Sequence, residues 1–135
     1  MSTVLSTAAR FRAAVEQGDM DALRELLAPG VVLHSPVTFH PFVGRETVRS
    51  LLNEVGLLFE DFRYTRELHG QGTHALIFAA RVRAKELEGL DLLRFDEQGL
   101  IADFTVMVRP LSALIPFAQA MSERVAAAGL EETRS

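Results

Sequence analysis

Asp91, a carboxylate set inside an apolar run, is the residue of this chain most able to do chemistry. The run is Gly89-Leu90-Asp91-Leu92-Leu93-Arg94-Phe95-Asp96-Glu97-Gln98-Gly99-Leu100-Ile101, two apolar strands joined by a tight Asp-Glu-Gln-Gly turn. Strands disfavour aspartate, and an unpaired buried charge is expensive. Asp91 therefore faces solvent, pairs with a nearby polar or basic group, or lines a cavity where an acid is wanted. In an apolar cavity the charged form is penalised and the pKa rises. A neutral carboxyl can then donate to a ligand carbonyl or act as a general acid. Plain alternation leaves the facing open, because a bulge at Gly99 would move the register by one residue.

His34 and Ser35 follow each other in the run Val31-Val32-Leu33-His34-Ser35. Neighbouring strand residues point to opposite faces, so only one of the two can face a cavity directly. An imidazole is an acid and base near neutrality, whereas a serine is no base without a partner. The alternative for His34 is a structural role. Catalysis needs a second polar group converging on Asp91, and the chain offers Ser35, His34, Thr38 and Tyr64. Phe39, His40 and Phe42 lie in a loop of bulky apolar residues after Pro36. Apolar bulk in a loop covers something, which makes Phe39 and Phe42 candidate ligand contacts. His40 is either a lid residue at a pocket mouth or an ordinary exposed loop histidine. Phe11 and Phe78 join the candidate aromatic lining, with plain core packing as the alternative.

The histidines have no metal-ligand spacing, so no metal is expected, and no cofactor motif is present. Gly70-Gln71-Gly72 reads as a hairpin turn and not a phosphate loop, because no helix follows it. There is no cysteine, hence no disulfide or thiolate nucleophile, which fits a reducing cytoplasm. A formal charge of −4 with scattered arginines argues against a nucleic-acid surface. No apolar run reaches the length of a membrane span, and the first residues lack a signal-peptide layout. We expect a cytoplasmic protein with neither nucleic acid nor membrane as partner. At 135 residues, 48% of them apolar, the whole of 1–135 suits one domain with one core.

Period and punctuation place the elements. Val4, Ala8, Phe11 and Val15 predict an amphipathic helix over 4–17, ended by Gly18. Asp19 caps a short helix carrying Met20, Leu23, Leu26 and Leu27, which Pro29-Gly30 stops. A short strand, 31–35, ends at Pro36. Gly44 opens a third helix with Val48, Leu51, Leu52, Val55 and Leu58 on one stripe. Alternation then predicts strands over 62–68 and 74–83 about a turn at 69–72, followed by the Asp91 hairpin extended to Arg109. Leu111, Leu114, Ile115, Ala118, Met121 and Val125 make a C-terminal helix, and the tail Glu131–Ser135 is polar. Helices followed by antiparallel strands define an α+β fold. The last two strands are apolar on both faces, so the outer face needs a cover. A second copy of the chain would supply it, giving a homodimer, with local loops or the C-terminal helix as the alternative.

The order of these elements resembles the nuclear transport factor 2-like superfamily, in its SnoaL-like branch. The resemblance runs roughly from Leu5 to Leu130. It rests on Phe11 with Gly18-Asp19, Val31-Val32-Leu33-His34-Ser35-Pro36, Gly44-Arg45-Glu46 and the Asp91 hairpin. It implies a cone, a curved antiparallel sheet wrapping N-terminal helices with a C-terminal helix, an apolar pocket open at one end, and dimers through the outer sheet face. It also implies that Asp91 points into the cone beside Phe104, Val106 and Val108. Asp91 falls on the protonated oxyanion-hole aspartate of ketosteroid isomerases, a carboxyl kept neutral by an apolar site. The other two catalytic positions of those enzymes fall on Phe11 and Ser35, which supply neither the phenol nor the base, so that activity is not expected. The aspartate of the limonene epoxide hydrolases falls near apolar Val106. Polyketide cyclases use a pocket acid and a histidine, types that Asp91 and His34 match only loosely in position.

Two readings follow. In one, the chain binds a small, largely hydrophobic molecule in an apolar pocket. In the other, it is a cofactor-free isomerase, cyclase or lyase acting on a small carbonyl compound with Asp91 as pocket acid. A filled cone plugged by Phe11 and Phe78 would exclude both.

Overall fold

The computed structural model describes residues 3–129, with side chains from Ser6 onward. The Val4 side chain and the tail Glu131–Ser135 lie outside the described residues. In chain order the elements are α1 (Thr3–Gln17), α2 (Met20–Leu26), β1 (Leu27–His34), β2 (Phe42–Val43), α3 (Arg45–Leu58), β3 (Glu60–Gly70), β4 (Thr73–Val82), β5 (Lys85–Phe95), β6 (Ile101–Arg109) and α4 (Leu111–Ala128). The strands form one curved sheet in the order β2-β1-β6-β5-β4-β3. The α+β cone expected from the sequence is the observed fold.

Local chemistry explains the element ends. Gly18 takes a left-handed φ of 68° after α1, and the Asp19 carboxylate accepts from the Ala22 amide at 3.1 Å to cap α2. The sequence places Leu27 in that helix and Pro29-Gly30 at its end. Instead the helix stops at Leu26 and the chain passes directly into β1. Pro29 and Gly30 fall in a register break between Leu27 and Val32, an irregularity of the kind that admits a proline in a strand. The strand ends at His34, so Ser35 lies just beyond it. β1 runs parallel to β6, which makes the sheet mixed where an antiparallel one was expected. The β4–β5 turn is Arg83-Ala84, both with positive φ, so β5 begins at Lys85, four residues earlier than the Asp91 run suggests.

Alternation divides the sheet into two faces. On β4, His74, Leu76, Phe78, Ala80 and Val82 are buried. On β5 the buried set is Leu87, Gly89, Asp91, Leu93 and Phe95. These residues face the helices, and with Phe11, Leu23, Val48, Leu51 and Phe117 they form the core. The other face keeps apolar residues in solvent, with Leu68, Leu92 and Met107 exposed.

Two features shape the inner face where the site lies. Phe78 sits opposite Gly89, and a Cβ on Gly89 would come within 2.1 Å of the Phe78 ring. Only glycine leaves the ring room to lie there. Phe78 in turn packs against Phe59 and Phe62, with centroids 5.5 and 5.0 Å away. Second, the Asp96 carboxylate accepts from the amides of Gln98 and Leu100, both at 2.9 Å, and closes the β5–β6 turn. A register break between Arg94 and Phe95 sits next to this turn, and beyond it Asp91 pairs squarely with Val106.

Candidate functional site

A cavity of about 510 Å³ lies between the inner face of the sheet and the helices. Phe11 and Val15 of α1, Leu51 and Val55 of α3, and Phe117 and Met121 of α4 border it on the helical side. Phe62, Tyr64, Phe78, Asp91, Phe104 and Val106 border it on the sheet side. Among the described residues, the polar side chains around it are Ser35, Thr38, Asn53, Tyr64, Asp91 and Ser122, and no lysine, arginine or histidine is among them.

Asp91 and Tyr64 are the polar pair within this apolar wall, each under 10% exposed at 7% and 8%. They come from β5 and β3, with β4 between them. Phe78 of β4 is the register partner of Tyr64, while Asp91 is paired with Leu76, two residues along. The Tyr64 hydroxyl thereby reaches Asp91 and donates to Oδ2 at 3.2 Å. The other carboxyl oxygen has no protein partner among the described residues. Among the described residues no side-chain oxygen or nitrogen is fully enclosed without a partner, so Oδ1, on a residue that borders the cavity, opens to it. Burial pushes the Asp91 carboxyl up from the ordinary 3.8 to about 7, and the Tyr64 hydrogen bond pulls the other way. The Tyr64 phenol is pushed well above its ordinary value, first by burial and then by the Asp91 charge and hydrogen bond. The phenol is therefore a fixed donor, and Asp91 is the group whose proton moves near neutrality.

A polar network backs the Tyr64 ring. The Arg12 guanidinium lies over it, 5.5 Å from the centroid. Arg12 is held by Glu67 and by Glu16, and Glu67 also pairs with His74 at 2.8 Å. Burial would raise the Glu67 carboxyl, but hydrogen bonds from Arg12 and His74 hold it below the ordinary carboxylate range. His74 meets His69 ring to ring, with Nδ1 atoms 3.3 Å apart.

The other candidates divide. Phe11, Phe42, Phe78, Phe104 and Val106 border the cavity. Phe11 is buried against Phe104, edge to face at 5.4 Å. Ser35 also borders it, but its Oγ accepts from the amides of Val37 and Thr38 and so shapes the loop. His34 is not on the wall. Leu33 faces inward, so His34 turns to the opposite face, where Nε2 meets Asp103 at 3.2 Å. Phe39 and His40 are at the solvent-facing tip of the Ser35 loop, Phe39 at 94% exposure, and neither borders the cavity. Val108 is also off the wall, since it pairs with Gly89 in the row that the Phe78 ring covers. Tyr64 was foreseen only as one of four possible partners for Asp91. Phe59, Phe62, Asn53 and Ser122 went unforeseen, although Phe62 and Tyr64 alternate on a strand toward one face.

Fold and site together define a small α+β cone with an internal acid in an apolar chamber. The chain belongs to the SnoaL-like domain family, whose model matches residues 8–104. Among solved structures, a steroid delta-isomerase from Pseudomonas aeruginosa is 37% identical over 97% of this chain and 97% of that one, with a TM-score of 0.90. An uncharacterised protein conserved in bacteria with a cystatin-like fold, from Silicibacter pomeroyi, is 34% identical over 91% of this chain and 87% of its own, with a TM-score of 0.87. A de novo designed protein with a curved β-sheet shares the fold alone, at 14% identity over 92% of this chain and 99% of its own and a TM-score of 0.72. No curated protein matches the sequence.

Proposed function

We propose that this protein binds a small, largely apolar molecule in the cavity and that neutral Asp91 donates a hydrogen bond to a carbonyl of that molecule. One observation carries the reading. Asp91 is a buried acid in an apolar wall, with Oδ2 held by Tyr64 and Oδ1 left to the cavity. Its carboxyl is held up to about 7, so a proton is available near neutrality. The volume of about 510 Å³ is in the range of small-molecule sites.

A second reading is a cofactor-free isomerase, cyclase or lyase using Asp91 as acid. The Tyr64 donor converging on Asp91 favours it, as does likeness to a protein described as a steroid delta-isomerase. Against it stands the lack of a second base among the described residues that border the cavity. Ser35 is engaged by two backbone amides, and His34 is turned away toward Asp103. A single carboxyl would have to give and take back the same proton.

The outer sheet face carries exposed Leu68, Leu92 and Met107, and we take it as the contact between two copies of the chain. Light scattering on the purified protein checks this: a monomer that Met107→Lys leaves unchanged ends the dimer reading.

Thermal-shift and calorimetric titration with 4-cyclohexylcyclohexanone, on the wild type and Asp91→Leu, tests the function. A hundredfold excess over Kd stabilises the folded state by roughly 2.7 kcal/mol. We expect binding that weakens at least tenfold in Asp91→Leu, whose side chain has no donor. Equal binding by both proteins removes Asp91 from the site. Exchange of the ketone's α-hydrogens for solvent deuterium, absent in Asp91→Asn, would move the reading to the enzyme.

A further inference from the structure

We infer that Arg12 is a positioning residue for the Asp91 acid: clamped between Glu16 and Glu67, its guanidinium holds the Tyr64 ring where the hydroxyl meets Asp91. This rests on Asp91 being the working acid of the proposed site. The contacts that carry it lie outside the cavity wall, on α1, β3 and β4.

The strand register makes the clamp possible. Tyr64 and Glu67 are an odd number of residues apart, so a regular strand would turn them to opposite faces. A register break between Tyr64 and Arg66 brings both to the inner side, with Tyr64 opposite Phe78 and Glu67 opposite Leu76. Phe78 and Leu76 are both buried on that face. Arg12 then lies over the Tyr64 ring, 5.5 Å from its centroid, and reaches Glu67 with the same side chain. Its Nη1 donates to Glu67 Oε1, and its Nε donates to Glu16 Oε2 at 3.2 Å. Glu67 is itself fixed, because its Oε2 accepts from Nε2 of buried His74 at 2.8 Å. The Nδ1 atoms of His74 and His69, 3.3 Å apart, hold one proton between them. His69 and His74 are register partners, so the far end of this chain of contacts is anchored in the β3–β4 ladder. A lone Arg12–Glu16 pair in solvent would contribute little. A guanidinium shared by two carboxylates, one of them oriented by a buried histidine, is held in place.

Position and charge act in one direction. The cation lies against the negative face of the phenol ring and draws charge from it, which makes the hydroxyl a better donor. The guanidinium pulls the Tyr64 phenol down, against burial and against the charges of Asp91 and Glu16. A better donor favours the ionised form of Asp91. The charged groups of the network are Arg12 and Glu16 from α1, Glu67 from β3 and, when protonated, His69 and His74. Among the described residues, α3 and α4 add no charged side chain to the wall that Asp91 shares.

Carbon-detected NMR of the labelled Asp91 carboxyl tests this without a ligand. The proteins are wild type, Arg12→Met, Glu67→Ala, Tyr64→Phe and the Arg12→Met/Tyr64→Phe double variant, with fold checked by circular dichroism. Methionine keeps an apolar stem on the ring and removes the charge. The Asp91 midpoint should rise in Arg12→Met by roughly half a pH unit, the size of an exposed cation–π contact. It should rise in Glu67→Ala as well, because the guanidinium loses its clamp. Simple loss of a neighbouring anion would instead lower it. In the Tyr64→Phe background, Arg12→Met should leave the midpoint where it is. An Arg12→Met midpoint equal to that of wild type, a fall in Glu67→Ala, or an Arg12 effect of full size without the hydroxyl would each overturn the inference and leave Arg12 as a brace between α1 and β3. The ketone titrations decide the binding reading separately. Intact ketone binding with an unmoved midpoint removes Arg12 alone. A raised midpoint in a protein that binds no ketone removes the ligand and keeps the hold of Arg12 on the carboxyl.

Discussion

The Tyr64 hydroxyl donates to Asp91 Oδ2 at 3.2 Å, and this bond opposes what burial does to the same carboxyl. Burial favours the proton on Asp91, and the phenol favours its loss. Near pH 7 the two effects leave the acid poised between its forms. Tyr64 is held in turn by Arg12 over its ring and by Phe62 edge-on at 5.0 Å. The poise of Asp91 therefore depends on a side chain from a strand two places away in the sheet.

Tyr64→Phe removes the opposing effect. The Asp91 titration should move above its wild-type midpoint of about 7, because only burial remains. Carbon-detected NMR of the labelled carboxyl reads this directly. The hydroxyl also contributes to stability, more when Asp91 is ionised than when it is neutral. We expect a loss of roughly 2 kcal/mol at pH 9 and about 1 kcal/mol at pH 5 in urea unfolding. A midpoint that falls in Tyr64→Phe would show that the bond does not favour the charged form.

Asp91 also gives the protein a pH-dependent stability of defined sign. Its folded pKa of about 7 lies above the ordinary 3.8, so between those values the folded chain holds a proton that the unfolded chain has released. Stability then falls as pH rises through this window and levels off above it. The full span corresponds to roughly 4 kcal/mol. Asp91→Asn keeps the size of the side chain and an oxygen for Tyr64, but has no proton to lose. Its stability relative to wild type should rise from about pH 4 to about pH 8 by up to that amount. Parallel curves for the two proteins would mean that Asp91 ionises in the fold as it does unfolded.

The acid was legible because aspartate in an apolar strand has few explanations, and the alternation around Phe78 fixed the inner face of β4. Its partner was less so. Tyr64 reaches Asp91 across an intervening strand and beside a register break between Tyr64 and Arg66, and no local pattern encodes that distance. The β4–β5 turn was hidden for a different reason. Arg83 and Ala84 hold φ of 49° and 66° without glycine or asparagine, so the tertiary pairing imposes the turn and the residue types do not announce it. The parallel β1–β6 pair joins the chain's first strand to its last, beyond the reach of periodicity. Asn53 and Ser122 meet one cavity only because α3 and α4 pack together.

If neutral Asp91 donates to a ligand carbonyl, affinity should follow the protonated fraction of the carboxyl. Ketone binding should be level below about pH 6 and weaken toward tenfold per pH unit well above the midpoint near 7. By the same linkage a saturating ketone should raise the Asp91 midpoint. Asp91→Asn, whose amide donates at every pH and has no proton to lose, should bind with an affinity that does not change across the range. Titrations at constant ionic strength between about pH 5 and pH 9 suffice. Wild-type affinity that stays constant across that range would exclude donation by Asp91.

Gly89 tests the architecture of the inner face without touching a polar group. A methyl at this position would lie 2.1 Å from the Phe78 ring, so Gly89→Ala must displace an aromatic side chain that is 1% exposed. Phe78 is held by Phe59 and Phe62, and its neighbours on the sheet are fixed by the β3–β4–β5 ladder, so the ring has little free space except toward the cavity. Overpacking of this kind costs roughly 1–3 kcal/mol. The same displacement should narrow the chamber beside Tyr64 and Asp91 and weaken the binding of bulky probes more than of small ones. Phe78→Leu removes the obstructing edge at its own cost, so the double variant should be more stable than the sum of the single losses allows. Urea unfolding of the four proteins in the cycle measures this coupling. Strict additivity would mean that the ring relaxes away from residue 89 without strain, and the close approach of Phe78 to Gly89 would then play no part in shaping the cavity.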